Sequence, residues 1–117
     1  MSFLRFVSNA SLVAIVAFAP FAMVGAHAEN CVEIALSYKD KKFDPAEISA
    51  PANTPIVIKV RNLDKDAMEL ESDSLHIEKV VAAGKDASIK VKAQKPGRYE
   101  FFDEYNEKTA RGALVVK

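Results

Sequence analysis

From residue 31 onward, apolar side chains fall at every second position in short runs, and turn residues separate the runs. Period two is the repeat of a strand with one buried face. Val32, Ile34, Leu36 and Tyr38 alternate with Glu33, Ala35 and Ser37, and Ile56, Ile58 and Val60 alternate with Val57, Lys59 and Arg61. Leu75, Ile77, Lys79 and Val81 take one parity of a later run, with His76, Glu78 and Val80 on the other. Ala87, Ile89, Val91 and Ala93 form the next inner face, then Tyr99, Phe101 and Asp103, and Ala113 to Val116 reads as a closing strand. No window of a dozen residues carries a 3.6-residue apolar stripe, so helix is limited to about one turn. The pattern predicts an all-β fold, a small antiparallel or Greek-key β-sandwich of about seven strands.

The first 28 residues follow another rule. Met1 to Arg5 is a short basic start, Leu12 to Gly25 has no polar side chain, and Ala26, His27 and Ala28 have the small-x-small form of a signal-peptidase site. This reads as a secretory signal peptide, residues 1–28, cut after Ala28. A membrane anchor fits less well, because the apolar run is shorter than the roughly 20 residues a spanning helix needs and Pro20 interrupts it. The expected result is an exported, periplasmic domain of residues 29–117.

Lys+Arg and Asp+Glu balance at 16 each, which argues against a nucleic-acid partner, since phosphate binding calls for a basic excess or stripe. Arg5 is the leader's only charge, so the remainder carries −1 and keeps His76 as its one histidine. A single cysteine, Cys31, excludes an internal disulfide and a thiolate-rich zinc site. We expect it to pack at the start of the first strand. With one Cys, one His and few glycines, neither a nucleophilic relay nor a phosphate-cradling loop is built, so a hydrolytic enzyme is disfavoured.

The carboxylates are the anomaly. Glu69 and Glu71 share a parity, so an extended strand projects them side by side. Adjacent carboxylates repel, and the pair is either a solvated face balanced by lysines such as Lys65 and Lys79 or one side of a cation site. Glu78 and His76 share a face of the following strand, where His76 is either a ligand or an exposed imidazole. Asp103 takes the inward parity of Tyr99 and Phe101; it is either a buried carboxylate that needs a cation, a hydrogen-bond cage or water, or the first residue of an acidic loop.

Taken together, Phe43 to Pro45, Asn62 to Asp64, Glu69 and Glu71, Val80 to Gly84, and Pro96, Gly97, Tyr99 and Phe101 give a frame over residues 31–117 that resembles a cupredoxin-like domain. Copper-carrying members place a Cys, a His three residues on and then a Met after the Tyr-x-Phe strand, with an earlier His after the Asn-x-Asp turn. Here those places hold Asp103, Asn106, the neighbourhood of Arg111, and Met68 with Glu69. A blue-copper centre needs a thiolate and two imidazoles, so the resemblance implies the fold without type-1 copper electron transfer.

The Glu-x-Glu pattern, with a Glu in the next strand and Gly-x-Tyr-x-Phe beyond, resembles more closely the exported cupredoxin-like subunit of bacterial ferrous iron uptake systems. That resemblance implies a periplasmic protein that binds iron, or copper, and helps to oxidise ferrous iron or hand ferric iron to a membrane permease. It carries Glu69, Glu71, Glu78 and Asp103 over as candidate metal ligands, with Glu104, Asn106 and Glu107 flanking; His76, the one remaining imidazole, is a separate candidate. Oxygen donors are the chemistry iron prefers, in the ferric state above all. The competing reading is a metal-free sandwich of the same shape that docks on a periplasmic partner. An exposed edge strand also leaves room for a homodimer.

Overall fold

In the computed structural model, which describes residues 31–117, the period-two runs become nine strands: β1 Val32–Lys39, β2 Lys42–Asp44, β3 Glu47–Ala50, β4 Ile56–Asn62, β5 Met68–Ser72, β6 Ile77–Val81, β7 Asp86–Val91, β8 Gly97–Asp103 and β9 Arg111–Val116. The expected signal peptide lies outside the described residues. The strands form two sheets, ordered β2-β1-β4-β7 and β3-β9-β8-β5-β6, packed as a β-sandwich. Nine strands stand against the expected seven or so, and the shortest are β2 with three residues and β3 with four.

Of the strand pairs, β1 with β4 and β3 with β9 are parallel, and the others are antiparallel. After β2 the chain crosses to the other sheet as β3 and returns as β4 alongside β1. Alternation reveals which face of a strand is buried but says nothing of its partner or direction.

Leu36, Tyr38, Ile56, Ile58, Val60, Ile89 and Val91 face inward from one sheet, against Ile48, Met68, Leu70, Ile77, Val81, Phe101, Leu114 and Val116 from the other. Each such side chain contributes about 1.5–3 kcal/mol when fully buried. Phe43 stands between Tyr38 and Phe101, edge-to-face with both at 5.2 and 5.0 Å between ring centroids. At Gly112 a Cβ would lie 2.6 Å from both the Ala46 carbonyl oxygen and the Phe101 ring, so only glycine fits.

One end of the sandwich is tied down by polar groups. The β1–β2 hairpin turns on Asp40 and Lys41, both left-handed (φ 51° and 58°), the backbone of a type I′ turn. The Asp64 carboxylate accepts from the N–H of Asp40 at 2.6 Å and of Lys41 at 3.0 Å. Asn62, fully buried at the end of β4, fixes that loop in turn: its Oδ1 accepts from the Asp64 N–H, and its Nδ2 donates to the carbonyls of Asp66 and Val81.

At the other end Cys31 immediately precedes β1, half-buried and free, in an apolar groove with Pro55, Ile56, Val57 and Val91. The run expected from Leu75 to Val81 begins as a strand only at Ile77. His76 lies in the preceding turn with φ 57°, so the parity that put it on one extended face with Glu78 is broken. Lys79 shares parity with Ile77 and Val81 yet is exposed, because β6 is an edge strand.

Candidate metal site and the buried carboxylate

β5 buries Met68, Leu70 and Ser72 and turns Glu69 and Glu71 to the outer face of its sheet, half-buried. The antiparallel register with β6 sets Glu78 directly opposite Glu71 and Val80 opposite Glu69. One carboxylate oxygen from each of Glu69, Glu71 and Glu78 lies within 4.8 Å of the others. A cation with oxygen ligands at about 2.0–2.6 Å can touch all three at once. Glu104, on the 3₁₀ turn Glu104–Asn106 after β8, adds to the negative field.

This arrangement is electrostatically costly as it stands. Partial burial pushes the Glu69 carboxyl above its ordinary value, and Glu78, Glu104 and Asp103 add to the shift. Partial burial pushes Glu71 up likewise, reinforced by Glu104, Glu78 and Glu69. Lys65 and Lys79, the cations closest in sequence, make no ion pair with the three; among the described residues, every ion pair lies elsewhere. Like charges placed opposite one another on paired strands destabilise a sheet, and a bound cation would reverse the sign of that term.

Asp103 does not join this group. It is fully buried at the end of β8, on the inner side of the sheet that carries the glutamates outside. Its Oδ1 accepts from the backbone N–H of Glu69 at 2.9 Å and of Tyr105 at 3.0 Å. Its Oδ2 accepts from the Tyr38 hydroxyl and from Asn106 Nδ2, the latter at 2.9 Å. Burial alone would raise its pKa, but the Tyr38 and Asn106 bonds and the two backbone bonds outweigh burial and hold it below the ordinary carboxylate value. Tyr38 is pushed the other way, by burial first and then by the bond to the carboxylate. Among the described residues no buried side-chain nitrogen or oxygen lacks a partner.

Of the alternatives the sequence left for Asp103, a cation or a hydrogen-bond cage among them, the structure shows the cage: four donors surround its oxygens. His76 is exposed and lies outside the three-glutamate group, although it shares a shallow surface hollow with Glu71 and Glu78. Asn106, a flanking residue in the sequence, is a member of the cage. Tyr38 and Asn62 were missed as polar anchors. Both carried a signal, since each takes the inward parity at the end of its strand and brings a polar group that must be satisfied there.

The donor set decides which metal can be held. A type-1 copper centre takes a thiolate and two imidazoles. Among the described residues there is one thiol, Cys31, and one imidazole, His76. Cys31 precedes β1 whereas Tyr38, near its far end, holds Asp103; seven residues of extended chain separate them, roughly 23 Å. The residues do not fit that group, and they do fit a hard, oxygen-seeking cation at Glu69, Glu71 and Glu78.

A family profile described as "Cupredoxin-like domain" matches residues 11–116. An uncharacterized protein of Rickettsia prowazekii (strain Madrid E) is 35% identical over 88 residues, which cover 75% of this chain and 70% of that one. Among solved structures, the metal binding domain of the Streptococcus pneumoniae D39 Cu(I)-exporting P-type ATPase CopA superposes with a TM-score of 0.68 at 21% identity, over 79% of this chain and 92% of that one. Auracyanin A, a "blue" copper protein from Chloroflexus aurantiacus, gives 0.66 at 15% identity, over 75% of this chain and all of the other. At such identities the two structures testify to the fold alone.

Proposed function

The chain belongs to the cupredoxin-like domain family, and from that premise we propose that it is a metal-binding accessory protein of iron uptake whose cation sits on the three glutamates rather than at the family's copper position. The observation that carries this reading is the convergence of Glu69, Glu71 and Glu78 within 4.8 Å without a neutralising cation among the described residues. Iron is the preferred cargo, because a carboxylate set stabilises the ferric over the ferrous ion and so favours oxidation or ferric delivery. Copper is a weaker candidate at such oxygen donors. In this reading the leader exports the protein to the periplasm, where it hands iron to a membrane permease and works with other uptake components.

The test is calorimetric titration of the protein with ferrous iron under anaerobic conditions, with manganese and cupric ion in parallel, for wild type and for Glu69→Gln/Glu71→Gln. Binding of iron that disappears in the double variant is the expected result. The absence of heat with every metal would overturn it.

A metal-free docking module is the second reading, and one observation favours it. Among the described residues three large hydrophobics are exposed, Leu63, Val80 and Tyr105, and each is adjacent through the backbone to a residue that holds Asp103 or to Asp103 itself. The Leu63 N–H donates to the Tyr38 carbonyl, Val80 pairs with Glu69, and the Tyr105 N–H donates to Asp103 itself.

A further inference from the structure

We propose that Asp103, Tyr38 and Asn106 form a permanent, metal-free lock at the position where the copper-carrying pattern has its ligands, cross-linking the two sheets and closing that position to copper. The geometry has the reach of a cross-link. Asp103 closes β8; Tyr38 comes from β1 in the other sheet, 65 residues earlier; Glu69 is the second residue of β5; Tyr105 and Asn106 belong to the 3₁₀ turn. One carboxylate therefore joins four segments, as a coordinated ion would.

The lock also leaves no vacancy for an ion. A carboxylate offers about four lone-pair sites, and the four donors here occupy them at hydrogen-bond distance. A metal entering at Asp103 would strip those bonds and leave the Tyr38 hydroxyl, the Asn106 amide and two backbone N–H groups unpaired in a buried site. It would gain one carboxylate in return, with neither a thiolate nor an imidazole among its partners: among the described residues the one thiol, Cys31, precedes β1 at the end far from Tyr38, and the one imidazole, His76, lies in the turn before β6. The turn is fixed by the same residues: Asp103 caps its start, and the Asn106 carbonyl accepts from the N–H of Ala110 at 2.9 Å. The loop is thus held in place without a ligand. This inference is independent of the glutamate site.

The experiment removes that site first, so that the two readings fail separately. In a Glu69→Gln/Glu71→Gln/Glu78→Gln background, urea unfolding and visible absorption are followed with Cu(I), with Cu(II) and with a chelator. The expected result is an unfolding midpoint that none of these additions moves and no copper charge-transfer band. Asp103→Asn in that background puts an amide donor among donors and should lower the folding equilibrium constant by about tenfold or more. Tyr38→Phe should lower it by less, and the double variant should lose less than the product of the two, because both delete the same bond. Should Asp103→Asn fail to fold, Tyr38→Phe and Asn106→Ala, which keep the carboxylate, take over both readouts. Stoichiometric copper binding that Asp103→Asn or Asn106→Ala abolishes would overturn the lock, and so would an unchanged midpoint in these variants.

Discussion

Two sets of carboxylates share β5 as a wall and answer opposite demands. Inside, Asp103 is dehydrated but receives four donors, and it stays ionised more readily than a free aspartate. Outside, Glu69 and Glu71 are closer to water but face only other carboxylates, and both hold their protons more tightly than a free glutamate. Burial pushes the carboxyl up in both places, and the difference lies in what is aimed at it: four donors outweigh burial at Asp103, while neighbouring carboxylates add to it at Glu69 and Glu71. A residue placed where the family pattern has a metal ligand becomes part of the scaffold when those donors come from the chain.

The sharpest way to break the comparison is to empty the cage. Asp103→Ala strands the Tyr38 hydroxyl, the Asn106 amide and two backbone N–H groups, and should cost about 3 kcal/mol or more in urea unfolding. Asn62→Ala, which removes the neighbouring buried anchor and frees the loop that holds the β1–β2 turn, should cost about 2 kcal/mol by the same measurement.

Acid separates the two sets by sign. The folded pKa of Asp103 lies below its unfolded value, so its contribution is complete above about pH 4 and is lost as pH falls through the folded value. For Glu69 and Glu71 the folded pKa lies above the unfolded one, so the folded state takes up their protons first and gains stability as pH falls through the raised values. A thermal midpoint followed downward from pH 7 should rise slightly and then drop. In Glu69→Gln/Glu71→Gln the rise should vanish while the drop remains. The smallest effect is expected at neutral pH without metal, where that double variant should melt slightly above wild type because it relieves the repulsion; a lower midpoint would mean that the glutamates are already compensated.

Parity along the chain exposed much of this, and it stopped where pairing between distant segments begins. The inward place of Asp103 and the shared face of Glu69 and Glu71 follow from period two within single strands. The addition of Glu78 depends on the β5–β6 register, which the turn from Asp73 to His76 sets. That turn also takes His76 through a left-handed conformation that no alternation pattern announces. Of the alternatives left open for Asp103, the hydrogen-bond cage could not be completed from the sequence, because its partner Tyr38 lies 65 residues away. A local pattern can show that a buried acid needs partners; it cannot show that an earlier strand already supplies them.

The pairing of β3 with β9 has a consequence in time. β3 lies at the edge of its sheet and finds its partner only in the last strand, at residues 111–116. A ribosome that has finished β8 has made every apolar residue of β3 but not yet the strand on which to lay them. Long-range parallel pairing of this kind slows folding, because the loop must close before any contact rewards it. The β3–β9 ladder is therefore a late step of assembly, which cannot begin until residues 111–116 have been made.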